Sequence, residues 1–217
     1  AGPVLAPDAQ VAQLVMQAEA RVAPLVNRVI GFAAAYVLKT ENSSGESALG
    51  NLIADAQRSA MGTDFAFMNP GGIRADIHAG AVTWGALFGV QPFNNDLVRL
   101  DLSGAQIVTL LNQQWLGQPY PRILKVSGLT YVWDFARPAG DRIVELRTAA
   151  GQPIVATTLY SVTVNSFLAA GGDNFTVLAQ GAHPVVGPVD LDALIKYIGA
   201  LPQPFNYAMD GRIQRSN

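Results

Sequence analysis

The sequence contains no cysteine and only two histidines among its 217 residues. Without cysteine the chain has no disulfide, no cysteine-ligated zinc or iron–sulfur cluster and no thiol nucleophile. The histidines, His78 and His183, lie far apart, and neither stands in an acidic cluster. Because a metal site needs several ligands at suitable spacing, we predict no metal site and expect both histidines at polar surface positions.

The sequence also has no large excess of charge of either sign and no long apolar run. Lys and Arg number 14 and Asp and Glu number 16, so the net charge is −2. Nucleic-acid polymers are bound through basic faces, and DNA and RNA are therefore not expected as partners. The longest apolar stretch, residues 29–38, falls well short of the ~20 residues that a membrane-spanning helix needs, so no span is predicted.

What is present is an apolar chain of domain size. Half of the residues are hydrophobic, which excludes disorder, and the 21 Gly and 13 Pro are few enough to be turns in a folded protein. The first residues, Ala1-Gly2-Pro3, lack the charged and apolar regions of a signal peptide. We therefore expect a mature or excised fragment.

Hydrophobic periodicity predicts separate helices and hairpin-like strand pairs without an internal repeat. Residues 8–30 carry apolar side chains at steps of three and four, with Asp8 as N-cap and with Pro24 expected to kink or divide the helix. Further helices are predicted at 47–61, after Thr83, after Ser103 and at 190–199, and strands at 64–68, 96–102, within 123–149 and at 160–165. This mixture favours an α+β fold over a regular βαβ alternation.

A glycine turn after the predicted strand at 64–68 carries side chains that suit ligand binding. Asn69 and Arg74 flank the pair Gly71-Gly72. Glycines let a ligand approach the backbone, an amide pairs with the edge of a heterocycle, and a guanidinium pairs with phosphate or hydroxyl oxygens.

Two further loops place aromatic side chains among polar ones. The loop 166–175 puts Phe167 ahead of Gly172 and Asp173, and another polar loop holds Phe93. Two loop aromatics could clamp a flat ring, since stacking of a base contributes ~1–3 kcal/mol, and a carboxylate accepts from paired sugar hydroxyls. The alternative is that both phenylalanines fill small apolar cores and that Gly-Gly-Asp is only a turn.

No catalytic motif accompanies these loops. The sequence has no Gly-x-Ser-x-Gly, and the segment 71–74 lacks the Gly-Lys-Ser/Thr end of a P-loop. We therefore name no catalytic residue in this chain.

Five short motifs stand in order along the chain: Glu46-Ser47-Ala48-Leu49-Gly50-Asn51-Leu52, Met68-Asn69-Pro70-Gly71-Gly72-Ile73-Arg74, Pro92-Phe93-Asn94-Asn95, Ser166-Phe167-Leu168-Ala169-Ala170-Gly171-Gly172-Asp173 and Gly211-Arg212-Ile213. This ordered set resembles the C-terminal domain of the metallophosphoesterase-type 5′-nucleotidases, the family that includes ecto-5′-nucleotidase, UDP-sugar hydrolase and 2′,3′-cyclic-nucleotide phosphodiesterase. The resemblance implies an inter-domain connector helix over residues 1–30 and a substrate-binding domain over 31–217, with mixed sheets covered by helices in α-β-β-α layers.

The resemblance also implies a division of labour. An N-terminal metallophosphatase domain of the same polypeptide would hold two divalent metal ions, and this chain would hold the nucleoside or nucleotide. The substrate-binding residues would be Asn69, Gly71, Gly72, Arg74, Phe93, Phe167, Gly172 and Asp173. Among them the two phenylalanines would sandwich the base, with Asn69 at its edge. Asp173 would bind the ribose hydroxyls, and Arg74 would reach ribose or phosphate.

Two positions depart from the family's pattern. Relatives often carry an arginine just before the segment that matches Glu46–Leu52, where this chain reads Asn-Ser-Ser-Gly at 42–45, and Pro70 stands where another glycine is common. We expect a phosphate clamp that is weaker or supplied elsewhere, and one backbone donor fewer in the turn.

The leading hypothesis is the substrate-recognition domain of a periplasmic, secreted or cell-surface 5′-nucleotidase-like phosphohydrolase, inactive without its metal-binding domain. A stand-alone nucleoside-binding module is the first alternative. A relative with a non-nucleotide substrate is the second, and a structural or dimerisation role also stays open.

Overall fold

The computed structural model describes residues 8–216, which form six α-helices and ten β-strands. The helices are α1 Ala9–Val26, α2 Ala48–Met61, α3 Trp84–Val90, α4 Gly104–Asn112, α5 Ser166–Ala169 and α6 Asp190–Ala200. The strands are β1 Val29–Ala33, β2 Phe65–Met68, β3 Gly80–Thr83, β4 Asp96–Ser103, β5 Lys125–Ser127, β6 Leu129–Trp133, β7 Ile143–Thr148, β8 Leu159–Asn165, β9 Ala182–Val189 and β10 Ile213–Arg215.

A five-stranded mixed sheet, in the order β5-β2-β8-β4-β9, is the centre of the fold. Its strands β2 and β8 are parallel, whereas β4 runs antiparallel to both β8 and β9. A three-stranded sheet, β10-β6-β7, and the pair β1-β3 complete the sheets of the described residues. The predicted α+β class with mixed sheets and covering helices is confirmed.

Two hydrophobic cores lie on opposite faces of the central sheet. Strand β2 shows why its sequence is apolar throughout: Phe65 and Phe67 enter one core and Met68 enters the other. The first core joins the central sheet to α4 and the three-stranded sheet, and the second joins it to α2, α3 and α6. A strand buried on both faces is a rigid support for the loop that follows it.

Side-chain caps fix the starts of α2 and α4, and the cap of α4 is the predicted Ser103. Ser47 Oγ accepts from Gly50 N at 3.2 Å at the start of α2, and Ser103 forms a reciprocal capping box with Gln106 at the start of α4. At the other end of α2, Gly62 has a φ of 62°, a left-handed conformation that glycine adopts readily.

Helix α1 begins at its predicted cap, where Asp8 Oδ1 accepts from the backbone N–H groups of Gln10 and Val11. It runs without division through Pro24 to Val26, so the expected division does not occur. Pro24 lies in the last turn, so the single helical hydrogen bond that its missing N–H removes lies close to the end of the helix. No residue of α1 is buried. Residues 1–7 of the predicted connector lie outside the described residues, and the boundary at residue 30 stays a prediction.

Several elements differ from the sequence-based expectation. Strands β1, β3, β9 and β10 were not predicted, and the expected loop at 166–175 contains the short helix α5 and a 3-10 turn at Gly172–Asn174. Strand β9 lies at the edge of the central sheet, is largely exposed and contains two prolines. An edge strand tolerates proline because one side of its backbone has no partner strand, and such a strand lacks the apolar alternation that reveals inner strands.

The first and last of the five ordered motifs meet in space and fasten the C-terminal segment. The Glu46 carboxylate accepts from the backbone N–H groups of Asp210, Gly211 and Arg212 at 3.0–3.4 Å. The Arg212 guanidinium in turn donates two hydrogen bonds to Asp55 in α2, at 2.7 and 2.8 Å. These two motifs therefore stabilise the fold.

Candidate functional site

One edge of the central sheet gathers the loops that the sequence singles out. Because β2 and β8 are parallel, their carboxyl ends lie at the same edge, and Asn69 follows β2 there while Asn165 ends β8. Strand β4 is antiparallel and begins at this edge, directly after the loop that holds Phe93. Ligands of open α/β sheets bind outside the carboxyl ends of strands, and the same geometry applies here.

A cavity of ≈ 330 Å³ lies at this edge. It is lined by Asn69, Gly71, Gly72, Phe93, Asn95, Asn165, Phe167 and Asp173. Six of the eight residues predicted to bind substrate therefore share one cavity, although they come from three separate segments of the chain. Asn95 and Asn165 were missed, and their places at the ends of strands were the signal available in the sequence.

A chain of polar side chains forms the floor of the cavity. Asn165 Nδ2 donates to Asn69 Oδ1 at 3.1 Å, and Asn69 Nδ2 donates to Asp173 Oδ2 at 2.9 Å. Asn165 Oδ1 also accepts from Leu168 N and so caps α5. Asn69 is 4 % exposed. Because hydrogen bonds hold both ends of its amide, the remaining lone pair and N–H of that amide have fixed directions.

The two aromatic side chains stand at the rim rather than in a core. Phe93 is 52 % exposed and Phe167 is 46 % exposed, which disfavours the alternative that both rings only fill small apolar cores. Gly172 does not line the cavity, but a Cβ on it would lie 2.6 Å from the Phe167 ring. The glycine is therefore needed for the position of that ring.

Arg74 is placed outside the cavity wall. Its guanidinium carbon lies 6.0 Å from the centroid of the Phe93 ring, and its Nη1 donates weakly to Gly71 O at 3.4 Å. The side chain is exposed, so it stands beside the opening and can meet a group that projects from the cavity.

Asp173 adopts a left-handed backbone conformation with a φ of 54°, which is uncommon for a residue other than glycine. Behind it lie two residues that the sequence reading did not single out. Arg122 Nε is 3.6 Å from Asp173 Oδ1, and Gln118 Nε2 donates to the Asp173 backbone carbonyl at 2.6 Å. Nothing in the irregular segment between α4 and β5 signals this contact in the sequence.

A buried carboxyl group lies next to the cavity wall. Asp190 is 1 % exposed, and its backbone N–H donates to Asn95 O at 2.8 Å. Burial raises the pKa of the Asp190 carboxyl to about 6, against the opposing effect of a hydrogen bond from Leu191 N. Its charge therefore changes at a pH near neutrality, in contact with a residue of the site.

A larger cleft of ≈ 790 Å³ lies elsewhere, between α2, the β5–β6 turn and the C-terminal segment. Its charged groups already have partners, since Arg212 is bonded to both Asp55 and Asp210. Burial raises the pKa of the Asp55 carboxyl, but hydrogen bonds from Arg212, Ser127 and Tyr207 outweigh that effect and hold the pKa below its ordinary value. We assign this network to the stability of the fold.

Both histidines are exposed, His78 against the Tyr36 ring and His183 with Nδ1 at 2.9 Å from Asp101 Oδ2. Over residues 8–216, no group of three or more His, Asp or Glu side chains comes together that could hold a metal ion. No helix within the same range is long and apolar enough to cross a membrane.

The structure defines an α+β domain in which the ends of the central strands carry amide and carboxylate groups beneath two exposed aromatic rings. The family follows from the comparison with known proteins. A family model described as the 5′-nucleotidase C-terminal domain matches residues 29–180, and the chain belongs to this family.

Relatives and solved structures agree with that assignment. The 5′-nucleotidase precursor of Thermus thermophilus is 37 % identical with a TM-score of 0.83, and the match covers 98 % of this chain and 44 % of that one. Endonuclease YhcR of Bacillus subtilis is 36 % identical over 96 % of this chain and 17 % of its own length. The cell wall protein Lmo0130 of Listeria monocytogenes is 32 % identical over 88 % of this chain and 27 % of its own length. The chain thus spans less than half the length of each.

Proposed function

We propose that this chain is the substrate-recognition domain of a 5′-nucleotidase-like phosphohydrolase and that it binds the nucleoside part of a nucleotide in the cavity at the end of β2. The base lies between Phe93 and Phe167 with its edge at Asn69. The ribose hydroxyls donate to Asp173, and Arg74 meets the phosphate outside the opening.

One observation carries the proposal. The Asn69–Asp173 hydrogen bond, at 2.9 Å, lies on the floor of a cavity whose rim bears two half-exposed phenylalanines. An amide for a base edge, a carboxylate for a diol and two rings for stacking are the groups that a nucleoside requires. The volume of ≈ 330 Å³ falls within the ~300–1,000 Å³ of small-molecule sites.

Hydrolysis is proposed to need a second domain of the same polypeptide. Two divalent metal ions, which would supply Lewis-acid activation of water, do not fit the side chains described here, because these offer no cluster of metal ligands. We therefore place the ions in an N-terminal domain and assign no catalytic step to this chain. An extracytoplasmic location is proposed from the relative described as a cell wall protein.

Saturation-transfer NMR with adenosine tests the proposal, using AMP and free ribose as further ligands. Wild-type protein should transfer saturation to the adenine protons, and Phe93→Ala and Phe167→Ala should each weaken binding by ~1–3 kcal/mol, about five- to 150-fold. Phe32→Ala is the matched control, since Phe32 is also 52 % exposed but lies in β1, away from the cavity. Equal loss in all three variants, or no transfer at millimolar adenosine, would overturn the proposal.

A further inference from the structure

The segment that follows α4 bonds repeatedly to the loop that carries Asp173. Gln118 Nε2 donates to the backbone carbonyl of Asp173 at 2.6 Å, and Asn174 Nδ2 donates to Gly117 O at 3.1 Å. Arg122 Nε stands 3.6 Å from Asp173 Oδ1. The loop is thus held through its backbone and through its carboxylate.

The loop needs such support because its backbone is unusual. Gly171, Asp173 and Asn174 all have positive φ angles, of 83°, 54° and 61°. Two successive non-glycine residues in the left-handed region are disfavoured by contact between Cβ and the backbone, and they persist only where surrounding contacts over-determine them. Contacts from outside the segment are therefore needed to keep this backbone, and with it the Asp173 carboxylate beside Asn69, in place.

Gln118 and Arg122 are themselves fixed before any ligand binds. The Arg122 guanidinium donates through Nη1 to Gln118 Oε1 and lies 4.7 Å from the centroid of the Tyr120 ring. Gln118 Nε2 also donates to Gln113 O at 3.0 Å. Both side chains are partly buried, so they form a preorganised support rather than a mobile surface pair.

We infer that Gln118 and Arg122 are positioning residues that hold Asp173 in its left-handed conformation and aim its carboxylate at a ligand diol. The inference rests on the proposed function, and it adds the source of the site's preference for a ribose over a sugar that lacks both hydroxyls. Arg122 lies beside Asp173 Oδ1 and Asn69 donates to Asp173 Oδ2, so the two side chains together fix the orientation of the carboxylate.

The test has a ligand-free arm and a ligand arm, with Gln118→Met and Arg122→Met as variants. Each keeps an apolar stem of similar length and removes the donors. In the free proteins, the ¹³Cα and ¹³Cβ shifts of Asp173 should move from left-handed towards extended values. Arg99→Met, which breaks the Arg99–Asp101 pair of β4, is the matched control and should leave these shifts unchanged.

In the ligand arm, dissociation constants are measured for adenosine and for 2′,3′-dideoxyadenosine. A diol bound to a carboxylate should give wild-type protein a preference of about tenfold or more for adenosine. In both variants the preference should fall to within about twofold, while the affinity for dideoxyadenosine changes by less than about twofold. A residue with only a general structural role would weaken both ligands equally.

The outcomes separate the two proposals. Unchanged Asp173 shifts and an unchanged preference overturn the positioning role, as does equal weakening of both ligands. If wild-type protein binds both nucleosides equally, base binding stands and the positioning role for a diol is overturned. If it binds neither, the proposed function fails and the role towards a diol fails with it, even where displaced Asp173 shifts show that the two residues hold the loop.

Discussion

Replacing Asn69 by aspartate tests the hydrogen bond on which the site is built. In the native protein the Asn69 amide donates to Asp173 Oδ2 at 2.9 Å, and the floor is mostly shielded from water. The Asn69→Asp variant removes that donor and sets two carboxylates against each other. At an effective dielectric constant of ~20, two unit charges about 3 Å apart repel by roughly 6 kcal/mol.

The Asn69→Asp variant avoids most of that repulsion when one of the two carboxylates takes up a proton. Keeping one carboxyl group of ordinary pKa, about 4, protonated at pH 7 costs roughly 4 kcal/mol, which is less than the repulsion. At pH 4.5 the same protonation costs about 1 kcal/mol. Because the folded pair has a raised pKa, the variant's stability relative to wild type should be greatest at low pH and decline as the pH rises.

Urea denaturation at pH 4.5 and at pH 7 measures this difference. Asn69→Asp should destabilise the protein by up to about 4 kcal/mol at pH 7 and by about 1 kcal/mol at pH 4.5. Asn94→Asp is the control, since Asn94 is exposed and does not line the cavity, and it should change stability by less than ~0.5 kcal/mol at both values. A loss for Asn69→Asp that is the same at both pH values would refute the geometry of the pair.

Three further changes test other parts of the account. Gly172→Ala should lower the free energy of unfolding, measured by thermal denaturation, by ~1–3 kcal/mol, because the new Cβ would lie 2.6 Å from the Phe167 ring and carbonyl oxygen. Its control is Gly89→Ala in α3, where the added Cβ meets only open space and should stabilise the protein by ~0.5–1 kcal/mol. Burial raises the pKa of Asp190 to about 6, so this carboxyl group destabilises the fold increasingly as the pH rises from about 4 to 6. Asp190→Asn removes that cost. In urea denaturation its free energy of unfolding should exceed that of wild type by about 1–3 kcal/mol at pH 7.5 and equal it at pH 4. Asp55→Ala leaves its guanidinium partner without that carboxylate and should lower the free energy of unfolding by ~3–5 kcal/mol; a loss below 1 kcal/mol would contradict the assignment of that network to stability.

Site residues could be predicted from the sequence where a side chain suited to ligand binding directly follows a recognisable strand or turn. Asn69 follows a strand whose apolar run is unmistakable, and glycines after it announce a turn. Asp173 stands after Gly-Gly in a polar loop that begins with an aromatic residue. The cavity brings both together as the resemblance implied, and their roles towards a ligand stay proposals.

Other parts depend on contacts that no local pattern encodes. Gln118 and Arg122 touch Asp173 across more than 50 positions of the chain, from a segment without regular structure. The place of Arg74 outside the cavity wall could not be read from the sequence, and its role towards a ligand stays a prediction. Edge strand β9 escapes prediction because exposure removes the apolar alternation on which such predictions depend.

Chemical-shift mapping with adenosine tests the central claim most directly. In ¹H–¹⁵N spectra of the protein, the amides of Gly71, Gly72, Phe167 and Asp173 should shift progressively with ligand concentration. Those of Thr130 and its neighbours in the larger cleft should not. Shifts confined to the larger cleft, or a spectrum unchanged at millimolar adenosine, would contradict the claim that the cavity at the end of β2 binds a nucleoside.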